Sequence, residues 1–317
     1  MEQATHKTFP DFDRVVPANG YAWWYVDGVS DDGSQAITMI AFVGSVFSPY
    51  YAWARRKAPA DPLNHCALNV ALYGRGANRW AMTERGRDGV SRSSDSLSIG
   101  PSSVTWQGDS LCFQIDERSA PLPTRIRGEV RVQPTRITNH EFILDSHGYH
   151  CWRPIAPCAR IEVNLSNPQL QWSGHAYLDA NAGARPLEED FDAWDWSRAS
   201  EPQRTTILYE GSRRGGEPFC LALHADPHGG IETFDPPPGT RLASTRYWRI
   251  GRGTRADPNT ARVVSTLEDT PFYSRSLLNV EVAGKPLTTV HESLSLRRFR
   301  STWVHCLLPF RMPRVPR

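Results

Sequence analysis

The sequence predicts an all-β fold, two antiparallel β-barrels or barrel-like sandwiches, and three observations carry that prediction. Short runs rich in Val, Ile, Tyr, Phe and Trp recur along the chain, separated by clusters of Gly, Pro, Asp and Ser. No long stretch keeps the 3.6-residue period of an amphipathic helix, and 25 prolines with 23 glycines interrupt most windows. The 317 residues hold roughly sixteen candidate strands, more than one small barrel takes. A division into residues 1–165 and 166–317 is expected, with the seam between Pro154 and Ser200, near RPIAPC or ARPLEED.

The strands follow in order. Tyr21–Val26 (YAWWYV), Ala36–Val43 (AITMIAFV), Cys66–Tyr73 (CALNVALY) and Arg79–Glu84 come first. The turn clusters DGVSDDGS, PADPLN and GRGAN separate them, because Gly, Asn and Asp supply the conformations a reversal needs. Ser103–Trp106, Leu111–Asp116, Thr124–Val132, Ile161–Leu165 and Leu170–Leu178 complete the first set. Arg204–Glu210, Phe219–His224, Ser244–Ile250, Thr260–Thr266 and Ser276–Val282 repeat the style. The best helical candidate is a short turn around Leu187–Trp194. The tail, Arg297–Arg317, mixes arginines with Phe299, Trp303, Leu307, Leu308, Phe310 and Met312. A last strand with a solvated face is the default reading there, and a lipid-facing edge the alternative.

Composition excludes several classes. A formal net charge of +2 is too small to argue for nucleic acid. Lysine occurs only at Lys7, Lys57 and Lys285, so all but three of the 36 basic residues are arginine. G+C-rich codon usage is the ordinary explanation, and an arginine-rich face for anionic lipid the sharper one. The six cysteines show no C-x-x-C pair and no regular framework, which fits reduced thiols in the cytoplasm. The N-terminal MEQATHKTFPDFDR has no basic n-region followed by an apolar h-region, so no signal peptide is read. The longest apolar run, from Ala36 to Phe47, falls short of the ~20 residues a spanning helix needs, and membrane contact is expected to be peripheral.

Cofactor motifs are missing too. Gly74-Arg-Gly76 and Gly251-Arg-Gly253 lack a third glycine and a following helix, and there is no P-loop, G-x-S-x-G elbow or H-E-x-x-H. His147, His150 and His175 want a fourth ligand before a zinc site is credible, so no metal and no cofactor are expected.

The most informative stretch runs from Ser146 to Asn181. It holds SHGYHCWRP and WSGHAYLDAN, two segments in which His150 and Trp152, then Tyr177 and Asp179, share a strand face at i and i+2. The two pairs sit at equal separation, 27 residues apart. One acid, one imidazole and two electron-rich rings suit a reaction that protonates an uncharged substrate and must survive the resulting cation. Each residue also has an ordinary reading: Asp179 as a turn or cap, His150 as a satisfied histidine, Trp152 and Tyr177 as barrel core. Trp194 and Trp196, in Trp-Asp-Trp, form either the wall of the second half or the lining of a ligand cavity.

With those residues in view, the chain resembles the carotenoid 1,2-hydratase (hydroxyneurosporene synthase) family of purple phototrophic bacteria. The resemblance is carried by GYAWWYVDGVSDDGSQAITMIAFVGSVFSPYYAWARR (Gly20–Arg56), SHGYHCWRPIAPCARIEV (Ser146–Val163) and WSGHAYLDANAGARPLEEDFDAWDWSRA (Trp172–Ala199). It implies a lipocalin-like fold and a cofactor-free lyase that adds water to the C1–C2 double bond of an acyclic carotenoid. It also carries the essential His, Trp, Tyr and Asp over to His150, Trp152, Tyr177 and Asp179. Asp179 would deliver the proton, the rings of Trp152 and Tyr177 would face the cation, and His150 would hold the attacking water. His175 stands one strand step before Tyr177 and is counted, with Trp194 and Trp196, among candidate substrate contacts. The partners implied are the carotenoid and water, at the cytoplasmic or photosynthetic membrane surface. A lipocalin-like carrier of an apolar ligand, or a pericyclase or isomerase acting on a polyketide-like substrate, are the rival readings.

Overall fold

The computed structural model describes residues 9–315. The chain forms two compact units, one reaching to Pro186 and resumed from Leu307 onward, the other spanning Leu187–Cys306. The strands of the first are β1 (Tyr21–Ser30), β2 (Gln35–Val43), β3 (Cys66–Gly74), β4 (Arg79–Arg85), β5 (Val90–Arg92), β6 (Ser96–Ile99), β7 (Ser102–Gln107), β8 (Ser110–Arg118), β9 (Arg125–Pro134), β10 (Phe142–Ile143), β11 (His150–Asn167) and β12 (Gln169–Gly183). The second unit contributes β13 (Phe191–Glu201), β14 (Arg204–Arg213), β15 (Phe219–Ala225), β16 (Ile231–Thr233), β17 (Gly239–Leu242), β18 (Arg252–Arg255), β19 (Arg262–Asp269), β20 (Tyr273–Val282) and β21 (Lys285–Ser295). A last strand, β22 (Arg314–Val315), belongs to the first unit again. The fold is all-β.

In the first unit one sheet runs in the order β22-β4-β3-β2-β1-β12-β11-β9-β8-β7-β6-β5, with β10 added on β11. It curls until β4 meets β8, where the Arg85 guanidinium pairs with buried Glu117 at 2.8 Å and the Ala120 N–H donates to the Trp80 carbonyl. The curl encloses a core that includes Trp24, Val26, Ile37, Met39, Leu68, Phe113, Val130, Ile161 and Leu178. Outer strands alternate buried and exposed, as β9 does. The central strand β1 is buried almost throughout, which is why YAWWYV reads as a continuous apolar run. Pro154 and Pro157 sit inside β11, a central strand. Two register shifts, between Arg153 and Ala156 and again by Ala159, accommodate them, since proline cannot donate to a ladder.

The second unit has a sheet in the order β16-β15-β14-β13-β21-β20-β19 and a separate β17-β18 ribbon. Its apolar core, among them Ala199, Leu208, Leu278 and Val280, is smaller. Asp195, His291 and Ser293 form a polar group beside it.

Several expectations change. The unit boundary lies after Pro186, not at residue 165: β11 and β12 are one antiparallel hairpin, with Ser166 opposite Gln169, and a cut at 165 would part paired strands. Ser244–Ile250 is a loop, not a strand. Leu187–Trp194 is helical only over Leu187–Asp190, after which β13 begins. The tail forms short helices at Leu296–Phe299 and Thr302–Leu307 before β22, not one strand. Its last two residues lie outside the described part of the chain.

Candidate active site

Three neighbouring strands, β1, β12 and β11, carry the site, and their register sorts its side chains into rows. Tyr21, Gly183 and His150 make the first row; Trp23, Asn181 and Trp152 the second; Tyr25 and Asp179 the third; Asp27 and Tyr177 the fourth. All lie on one face. The residues between them, Ala22, Trp24 and Val26 on β1 and Leu178, Ala180 and Ala182 on β12, point into the barrel core. The face is closed to solvent: His150, Trp152, Tyr177 and Asp27 are 0 % exposed and Asp179 is 4 %.

Asp179 is the centre of the polar contacts. The Trp152 indole N–H donates to its Oδ2 at 2.8 Å, and the Tyr177 hydroxyl donates to the same oxygen at 2.9 Å. Trp152 is opposite Asn181 and reaches Asp179 along the diagonal, a distance that long aromatic side chains span. Phe142 packs against the Trp152 ring at 5.5 Å, and Tyr25 meets Tyr177 edge-on at 6.2 Å. The acid is thus held by two neutral donors and walled by rings.

His150 is held from two sides. Its Nδ1 shares a 2.9 Å hydrogen bond with the Tyr21 hydroxyl, and the Tyr21 ring stacks on Trp23 at 4.9 Å. Its backbone N–H donates to Asp145 Oδ1 at 2.7 Å, while the N–H groups of His147 and Tyr149 donate to Oδ2. Burial works to raise the Asp145 carboxyl. The three backbone donors, His150 first, outweigh it and hold that carboxyl below its usual range. The Tyr21–His150 bond crosses β12 at Gly183, where a Cβ would lie 2.4 Å from the Tyr21 ring and 2.6 Å from His150 Nδ1. Only glycine leaves that passage open.

The structure brings His150, Trp152, Tyr177 and Asp179 to one face. The equal 27-residue spacing, however, carries no register: in an antiparallel hairpin the sums of paired numbers stay constant, so His150 faces Gly183, not Tyr177. Four residue steps along β12, ~13 Å, separate the His150–Gly183 row from Asp179. His175 is not part of the group. Its side chain is half exposed and stands 3.6 Å from Asp31, which also pairs with Arg160 at 2.7 Å. Trp194 and Trp196 belong to the second unit, both buried on β13, Trp194 edge-on to Phe191 and Tyr209. Among the described residues, no group of three or more His, Cys, Asp or Glu is placed to hold a metal ion.

Sequence reasoning passed over Tyr21, Trp23, Tyr25, Asn181 and Gly183 as site residues. The signal was there: Tyr, Trp, Tyr and Asp at positions 21, 23, 25 and 27 stand every second residue, an aromatic stripe that ends in an acid. A fully buried strand hides such a stripe, because both of its faces read as apolar.

Comparison with known proteins places these residues in context. The pattern of the family described as "Carotenoid hydratase CrtC" matches residues 39–317. The chain is 54 % identical over 307 residues to an "Acyclic carotenoid 1,2-hydratase" of Thiocapsa roseopersicina, covering 96 % of this chain and 76 % of that one. It is 50 % identical, with the same coverage, to an enzyme of the same name from Rubrivivax gelatinosus. Among solved structures, a putative AttH from Nitrosomonas europaea superimposes with a TM-score of 0.61 at 13 % identity, covering 93 % of this chain and 98 % of that one. That last likeness concerns the fold alone.

Proposed function

Since the chain belongs to the carotenoid hydratase family, we propose that it is a carotenoid 1,2-hydratase, a hydro-lyase that adds water across the C1–C2 double bond of an acyclic carotenoid. The observation that carries the reading is the buried Asp179 held on one oxygen by Trp152 and Tyr177. With Oδ2 taken by two donors, Oδ1 is the oxygen that presents the proton. The π pair of the alkene takes that proton at C2, and C1 becomes a tertiary cation. The electron density left on Asp179 is then met at Oδ2 by the indole N–H and the phenol O–H. These two residues therefore do more than offer ring electrons: they hold the acid and support its conjugate base.

Ring faces still matter. Trp23 and Trp152 occupy the row between acid and imidazole, where a desolvated cation gains ~2 kcal/mol from an aromatic face. Water then forms the C1–O bond, and its proton passes to Nε2 of His150, whose Nδ1–H is donated to the Tyr21 oxygen. His150 returns the proton to Asp179 through water, and the sum is one H₂O added. A chain of acid, C2, C1, water and imidazole with contacts of ~3 Å reaches roughly 10 Å, against the ~13 Å of backbone between the first and third rows from which the two side chains project.

The carotenoid is a bilayer-length hydrocarbon, so only its end enters and the protein meets a membrane peripherally. No helix among the described residues is long and apolar enough to cross one. Incubation of the purified protein with lycopene or neurosporene in detergent, followed by mass spectrometry, tests the activity. A product heavier by one water is expected, and recovery of unchanged carotenoid bound to protein would make it a carrier instead.

A further inference from the structure

We propose that the loop Arg246-Tyr-Trp-Arg249 of the second unit, with Trp303 beside it, is the surface that docks the protein on an anionic lipid leaflet. The inference rests on the peripheral attachment argued above and names where it occurs. The loop is exposed but built. The Thr245 N–H donates to the Ile250 carbonyl at 3.0 Å, and the Ile250 N–H donates to Thr245 Oγ1 at 2.9 Å, closing its base. The Asp269 carboxylate accepts the N–H groups of Tyr247 and Trp248 at 2.7 and 3.2 Å. The Arg298 guanidinium donates to the carbonyls of Trp248, Arg249 and Pro271. Arg249 is in the left-handed region at φ 55°, which fixes the turn.

What this scaffold holds outward is apolar and basic. Tyr247 is 77 % exposed, Trp303 47 % and Trp248 37 %, and the two indoles stack at 6.0 Å. Arg246 lies against the Tyr247 ring, and Arg249 and Arg297 are exposed. Two nearby acids are engaged: Asp269 binds the loop amides, and Asp192 pairs with Arg300 and, more loosely, Arg297. Rigid Trp and Tyr side chains with arginines around them match the headgroup region of a bilayer, where an amphipathic ring finds apolar chain below and water above. The arginines match anionic headgroups, and the site needs no spanning segment.

Binding to carotenoid-free vesicles tests this separately from catalysis. The purified full chain is sedimented with vesicles of phosphatidylcholine alone or with 30 mol% phosphatidylglycerol. Wild type is expected to pellet with the anionic vesicles and to be partly released by high salt. Tyr247→Ser with Trp303→Ser should weaken binding at least tenfold at any salt. Arg246→Gln with Arg249→Gln should cost on the order of fivefold per arginine and remove the preference for phosphatidylglycerol. Both variants should keep wild-type hydration of carotenoid in detergent while losing it with carotenoid in vesicles. Unchanged vesicle binding by both variants overturns the proposal. So does a wild-type dimer that Tyr247→Ser with Trp303→Ser turns into a monomer, which would make the patch a contact between copies. Loss of the detergent activity in wild type would instead refute the hydratase reading and leave the vesicle result standing by itself.

Discussion

At the scale of single residues the proposed chemistry turns on one carboxyl group. Asp179→Asn preserves the shape that accepts from Trp152 and Tyr177 but has no proton to give. Hydration should fall by about 10²–10⁴-fold with little change in melting temperature, because that is what general acid catalysis contributes. Near-normal turnover by that variant would mean the acid has been misassigned. Trp152 allows a finer test. Trp152→Phe keeps a ring face and loses the N–H, whereas Trp152→Leu loses both. If the face matters beyond the donor, phenylalanine retains more activity than leucine; equal kcat values would leave the hydrogen bond as the whole role. The quartet itself was legible from two i, i+2 pairs read beside a family resemblance. The donors' convergence on one oxygen was not, because it depends on a diagonal across β11 and β12 and on bulges that no sequence period encodes. His175 shows the same limit from the other side, sharing the strand parity of Tyr177 while sitting among solvent-exposed charges.

At the scale of elements, the middle strand of the site must be thin at one point. Gly183→Ala puts a methyl group between Tyr21 and His150, and the phenol and imidazole can no longer meet. A loss of about 1–3 kcal/mol from overpacking is expected, together with a fall in kcat of tenfold or more; thermal denaturation and steady-state kinetics check the two parts. A wild-type kcat in a correctly folded Gly183→Ala enzyme would release Tyr21 from any part in positioning His150. A second element-scale effect belongs to β13 and β21. Burial pushes the Asp195 carboxyl up to about 7 and the neighbouring His291 down to about 4, so both are neutral in the fold at mildly acidic pH. Asp195 binds more protons folded than unfolded, and its contribution is lost as pH rises from about 3.8 to 7. His291 binds fewer folded than unfolded, and its contribution is lost as pH falls from 6.5 to about 4. Over their shared window the two slopes oppose each other and largely cancel. Asp195→Asn should uncover the histidine alone, so that the variant loses about 3 kcal/mol relative to wild type between pH 6.5 and 4 in denaturant titrations. A parallel pH course in both proteins would show that the pair does not titrate this way. Strands such as β2, β3 and β14 could be read almost to their ends from β-branched and aromatic runs. β13 and β21 could not, since half-buried Asp and buried Ser and His interrupt the apolar pattern that marks a strand, and Ser244–Ile250 misled because exposed Tyr and Trp imitate it.

At the scale of the whole molecule, the two-unit, all-β plan followed from length, turn spacing and the absence of helical period. The boundary did not, because RPIAPC looks like a linker while its prolines sit in strand bulges. Nor did the return of the tail. Residues of β22 run parallel to the outer strand β4, the Glu84 N–H donates to the Pro313 carbonyl at 2.9 Å, and Arg314 binds Glu84 and the carbonyl of Asn64. Removing residues 307–317 should therefore lower the melting temperature of the first unit and promote aggregation, since the end of β4 at Glu84 and Arg85 loses its backbone partners. Light scattering and calorimetry would register this, and a truncated chain as soluble and stable as the full one would show that the tail adds nothing.

That return sets a timetable for synthesis. A ribosome completes the other strands of this sheet by Gly183, yet the outer partner of β4 emerges only after the roughly 120 residues of Leu187–Cys306 have been made. At 5–20 residues per second the wait is roughly 6–24 s. Throughout that interval a nascent sheet, already able to curl, offers the open backbone groups at the Glu84 end of β4 to any neighbouring chain. Crowded polysomes translating this message are where such neighbours are identical and in step. Expression yield should thus respond to translation rate in the segment encoding the second unit, with slower codons there prolonging the exposure and faster ones closing the edge sooner.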